Sequence, residues 1–127
     1  MRIKHTVQVQ ISLDEEGKRK LFSDDALLSQ TVIDAYDAQA NSVLTIPTVT
    51  TESLSFGDVV AVKGMYLEVN QDAKVRLNGS TDAIQLRIGA TGGKAKFFIE
   101  AAITGVTVEN PTANTLVGFY SFWGSSS

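Results

Sequence analysis

The 127 residues suit one domain with a sizeable core, and 43% hydrophobic residues are too many for a disordered chain. With no cysteine and one histidine, disulfides, thiolate nucleophiles and cysteine metal sites are excluded, and any Ser-His-Asp arrangement has a single candidate base. A net charge of −3 argues against a nucleic-acid surface, and no apolar run approaches the ~18 residues of a membrane span.

The chain opens with period-2 alternation. Ile3, Val7, Val9, Ile11 and Leu13 are interleaved with Lys4, Thr6, Gln8, Gln10 and Ser12, the pattern of a strand with one buried face. His5 falls on the apolar parity, where a lone histidine is expected to pack rather than to ligate. This segment lacks the apolar centre of a secretion signal, which together with the missing cysteines fits a reducing cytoplasm. Asp14, Glu15 and Glu16 cancel Lys18, Arg19 and Lys20 locally and read as a solvated turn around Gly17.

Residues 26–38 fit two descriptions. Leu28, Val32, Ala35 and Tyr36 suit a helical face capped by Ser23 or Asp24, whereas Thr31-Val32-Ile33 is β-branched and suits a short strand. We take the strand, because its neighbourhood is rich in strands. Residues 42–47, "SVLTIP", form a compact strand ended by Pro47, and residues 58–70 form a strand pair or one strand bent at Gly64. Val75 and Leu77 then lead to Asn78-Gly79, residue types that supply the positive φ of a tight turn. Ile84, Leu86 and Ile88 follow on one face, with Gln85 and Arg87 on the other. Asn78-Gly79-Ser80 is also a formal glycosylation acceptor, but the turn reading is the stronger one without a secreted context.

"GATGGK" lacks the Gly-Lys-Ser/Thr ending of a phosphate loop and reads as a hairpin loop. "KAKFFIEAAI", "GVTVEN", a Pro111 turn and "NTLVGFYSFWG" complete the pass. Turn signals recurring roughly every 8 to 12 residues point to an all-β fold. The expectation is an antiparallel β-sandwich, jelly-roll-like, with at most one short helix: one domain over 1–124 and a flexible tail at 125–127.

Chemistry-bearing clusters are scarce. Asp14, Glu15 and Glu16 could bind a hard cation, as could Asp58, Asp72 and Asp82 if folding gathered them, but no calcium-loop spacing is present. No enzyme, metal or cofactor is therefore expected. The aromatic end carries more information. Leu116, Tyr120 and Phe122 share one parity of the closing strand, while Val117, Phe119 and Trp123 share the other. In "KFFIEAAI", Phe97, Ile99, Ala101 and Ile103 form one face, and Phe98 with Ala102 interrupts the polar one. A strand apolar on both faces is either fully buried or covered by another chain, so Phe98, Phe119, Tyr120, Phe122 and Trp123 are candidates for core or subunit interface.

The runs "MYLEVNQDAKVRLNGSTDAIQLRIG" and "KFFIEAAITGVTVENPTANTLVGFYSFWG" resemble small β-sandwich virion proteins of tailed bacteriophages, namely capsid decoration (cement) proteins and head or tail-fibre modules. The resemblance covers about residues 42–124. It rests on the "RLNGS" turn, the hairpin, the glycine-rich loop and the closing aromatic strand. It implies a multimeric structural protein, a trimer by preference, with no catalytic residues. The implied partners are other copies of itself and a major capsid or other virion protein, with assembly in the host cytoplasm before entry into the particle. The N-terminal forty residues would be either an arm gripping the capsid or a further sheet strand. The alternative is a carbohydrate- or receptor-binding module on the same fold, presenting Tyr36, Tyr66 or Trp123 to a surface glycan.

Overall fold

The computed structural model describes residues 3–9, 12–15, 18–21, 28–34, 36–89 and 93–127. The chain divides into two compact units, Met1–Ala35 and Tyr36–Ser127, where turn spacing suggests a single domain over 1–124.

In the first unit, β1 (Ile3–Val9) pairs antiparallel with β4 (Leu28–Asp34), and β2 (Ser12–Glu15) pairs antiparallel with β3 (Lys18–Leu21). The ambiguous stretch is thus a strand, with β-branched Thr31, Val32 and Ile33 opposite Thr6, His5 and Lys4. The basic cluster belongs to β3 rather than to a turn. Register sets Arg19 opposite Asp14 and Lys18 opposite Glu15, so unlike charges occupy directly paired positions. The expected turn at Gly17 lies outside the described residues.

The second unit has eight strands: β5 (Ala38–Ile46), β6 (Thr51–Ser53), β7 (Ala61–Val69), β8 (Ala73–Leu77), β9 (Ile84–Leu86), β10 (Ala95–Ile103), β11 (Val106–Glu109) and β12 (Leu116–Ser125). Their pairing is nested. The first bonds the last, the second the seventh, the third the sixth and the fourth the fifth, all antiparallel. Rolling this long ribbon adds the pairs β12–β7 and β11–β8 and yields two four-stranded sheets, β10-β7-β12-β5 and β6-β11-β8-β9. This is jelly-roll strand order in a β-sandwich, with no helix among the described residues.

One core joins the sheets. Leu44, Ile46, Met65, Leu67, Val69, Leu116 and Phe122 from the larger sheet meet Val75, Leu86, Val106 and Val108 from the other. Each such side chain contributes roughly 1.5–3 kcal/mol by leaving water. Along β7 the inward positions are Val69, Leu67 and Met65. The register then slips, from Trp123 opposite Gly64 to Gly124 opposite Val62, and this bulge turns Val62 inward as well. The bend expected at Gly64 is that bulge.

Two asparagines tie loops to this frame. Asn78 (φ 55°) and Gly79 (φ 73°) form the expected turn, and the Asn78 carboxamide oxygen accepts from both the backbone N–H and the hydroxyl of Thr104. Asn110 is fully buried. Its Nδ2 donates to the carbonyls of Ile46, Pro47 and Asn114, while its Oδ1 accepts from Gln71 and Thr112.

Several boundaries differ from expectation. The strand read at 42–47 begins at Ala38, because β12 supplies partners along its whole length. "GATGGK" connects β9 and β10, which lie in different sheets, so it is a crossover rather than a hairpin loop; residues 90–92 lie outside the described set. Ile84 is exposed although Leu86, on its face, is buried. Ser125 belongs to β12, and Ser126 donates through N and Oγ to the Asp37 carboxylate, both at 2.8 Å.

Candidate interaction surface

Alternation along β12 sorts four of the five candidate aromatics. Tyr120 and Phe122 point inward, and Phe122, 0% exposed, meets Phe56 edge-on with ring centroids 4.7 Å apart. Those two are core. Phe119 and Trp123 point outward, where Phe98 of β10 joins them.

The outer face of the larger sheet can be read row by row from its register. One row runs Val43, Phe119, Glu68, Lys96; the next runs Asn41, Ser121, Tyr66, Phe98; a third runs Gln39, Trp123, Gly64, Glu100. Aromatic rings meet along the diagonals, Tyr66 with Phe119 and Phe98 with Trp123, each with centroids 5.8 Å apart. Trp123 reaches this packing by lying across Gly64, where any added Cβ would collide with its indole. It is only 6% exposed, whereas Phe119 is 42% and Phe98 40% exposed. Val43, at 81%, is the most open large apolar residue described. The five expected residues therefore fall into a core pair, a covered indole and two half-open rings.

Polar groups border the patch. Gln39 Nε2 donates to Asn41 Oδ1 at 3.2 Å and to Ser121 Oγ at 3.3 Å. The Tyr66 hydroxyl is held above its ordinary pKa, first by burial and then by the charge of Glu68. A shallow depression of about 290 Å³ beside Phe119 is lined by Val43, Glu68, Asn70, Lys94 and Val117. Sequence reading missed Val43 as part of this surface, although the period-2 phase set by Leu44 and Ile46 already puts it on the opposite face.

Among the described residues, two further depressions are lined mainly by apolar, Gly, Ser and Thr residues. One of them, about 430 Å³, includes Arg76, whose guanidinium is 2.9 Å from Glu109. Of the acids considered for a cation, Asp72 accepts from the Ile88 N–H at 3.0 Å and lies 3.4 Å from Arg87. Among the described residues, no three His, Cys, Asp or Glu side chains gather into a metal-binding group. No protein-family model, curated protein or solved structure matches the chain.

Proposed function

We propose that this chain is a non-enzymatic structural protein of a viral particle: a multimeric capsid decoration (cement) protein or head or tail-fibre module that decorates or stabilises the virion surface. The observation that carries this reading is the apolar patch on the outer face of the larger sheet, where Val43, Val117, Phe119 and Phe98 are open around a packed aromatic centre. An exposed apolar surface of this kind marks a contact with another protein. Jelly rolls recur among viral capsid and lectin domains, a fold-level analogy that agrees with the resemblance drawn from the sequence.

In this reading the outer face joins copies of the chain, as a trimer, or seats it on a major capsid or other virion protein. Its place is the virion, after assembly in the host cytoplasm. The test is light scattering of the full chain across dilution, with proteomic identification of the chain in purified particles. The expected results are a multimer that Phe119→Lys dissociates and recovery of the chain with particles. A single 13.6 kDa species at all concentrations, absent from particles, overturns the proposal.

A second reading, a carbohydrate- or receptor-binding module, is favoured by one feature: the Gln39-Asn41-Ser121 hydrogen-bonded strip beside Tyr66 and Phe119. Sugar faces combine aromatic platforms with such polar groups. There Phe119→Ala removes glycan binding and leaves the mass in solution unchanged.

A further inference from the structure

The two sheets of the second unit end in four edge strands, and three of them carry features that discourage pairing with another chain. β6 and β9 are three residues each. β10 presents Lys96 and Glu100, and its register shifts between Glu100 and Ile103. Short, charged or irregular edges discourage strand addition.

β5 has none of these features. Its nine residues, AQANSVLTI, contain no charge, proline or glycine, and its register against β12 is unbroken. Asn41, Ser42 and Val43 are all exposed, so the middle of the edge is open on both sides.

The direction of its free hydrogen-bonding groups follows from β12. Asn70 N donates to Val117 O at 3.0 Å, so Val117, and by alternation Phe119 and Ser121, bond to β7. The residues between them, Gly118, Tyr120 and Phe122, therefore bond to β5 at their register partners Leu44, Ser42 and Ala40. The backbone groups of Gln39, Asn41, Val43 and Thr45 consequently point to the open edge.

We infer that β5 is a self-pairing edge: two copies of this chain join β5 to β5 antiparallel about a two-fold axis at Ser42, making one eight-stranded sheet. In that register, Asn41 exchanges hydrogen bonds with the partner's Val43, and Gln39 with the partner's Thr45. On the inner side, small residues meet large ones, Ala40 beside the partner's Leu44 and Ala38 beside the partner's Ile46. The uncharged strand brings no like charges together, although each chain carries −3. Val43, whose register partner on β12 is Phe119, gains a strand on its other side. The contact is isologous and uses up both β5 edges, and the far edges of the joined sheet are the charged, shifted β10 strands; assembly therefore stops at two along this direction. The inference concerns the edge and is independent of any particle role.

The test uses the full chain with Ser42→Lys and Ser42→Glu, each of which puts like charges face to face on the axis. Sedimentation equilibrium is expected to show a two-fold association step in the parent, at least tenfold weaker in each variant alone and restored in their equimolar mixture. Amide exchange at Asn41 and Val43 should slow with concentration in the parent only. Circular dichroism verifies that both variants fold. A monomeric parent, variants that dimerise as the parent does, or folded variants that fail to pair when mixed each overturn the inference. Association that ignores Ser42 but is lost in Phe119→Lys overturns edge pairing and leaves the outer-face reading standing.

Discussion

The inner and outer faces of the sheet β10-β7-β12-β5 alternate residue by residue along the same strands. Leu116, Tyr120 and Phe122 interlock with the second sheet, whereas Val117 and Phe119, their immediate neighbours, stand half open. Both faces carry large apolar residues, although the outer one interleaves them with Glu68, Lys96, Asn41 and Ser121; only the inner one leaves water in full, and stabilisation scales with the area removed from water rather than with residue type. The outer face holds its indole differently. Trp123 is buried sideways against Gly64 and Phe98, within its own sheet. Large apolar side chains are thus sealed from water on one face and left partly exposed on the other.

Substitutions probe that contrast. The largest effect is expected for Phe122→Ala, which empties a fully buried site against Phe56 and Tyr120 and should cost about 3–5 kcal/mol in urea denaturation. A loss below about 1 kcal/mol would mean that the inner face tolerates a cavity as the outer face does. Gly64→Ala comes next. Its methyl displaces the indole, and overpacking of this kind costs about 1–3 kcal/mol. A red shift of tryptophan fluorescence reports the displacement, and unchanged emission breaks the account of how Trp123 is covered.

Phe119→Ala sharpens the comparison from the outer side. Half of its ring is already exposed, so stability should fall by about 1 kcal/mol or less, while self-association weakens at least tenfold. Equal losses of stability for Phe119→Ala and Phe122→Ala would erase the distinction between the faces.

The smallest effect concerns Asp37, whose carboxylate is held below its ordinary value near 3.8 mainly by the Ser126 hydroxyl and then by the Ser126 N–H. A depressed folded pKa stabilises above the unfolded value, and that contribution is lost as pH falls through the lowered one. The stability gap between the parent and Asp37→Asn should therefore be present near neutrality and close below about pH 4. A gap that is constant across this range, by thermal melts, removes the Ser126 contact from the account.

Part of the candidate surface was legible before folding. That Phe119 and Trp123 share a face opposite Tyr120 and Phe122 followed from period 2 alone, as did the positive φ of Asn78 and Gly79 from residue types that tolerate it. The burial of Trp123 did not, because it depends on Gly64, some sixty residues earlier, arriving directly opposite. Asn110 was equally silent. An Asn before a proline reads as a turn, and only the convergence of Ile46, Pro47, Gln71 and Asn114 turns its amide into a buried hub.

What the amino-acid order determined by itself was local: alternating strands, the turn residues between them and a two-faced aromatic end. These depend on backbone sterics and the pleat, which act over a few residues. Only the tertiary structure decided which strands are edges, since an edge is defined by the absence of a neighbour. Among the described residues, nested pairing leaves β5 with β12 on one side alone. Tertiary structure also decided which apolar face is sealed, because burial belongs to the second layer that arrives and not to the residues waiting for it.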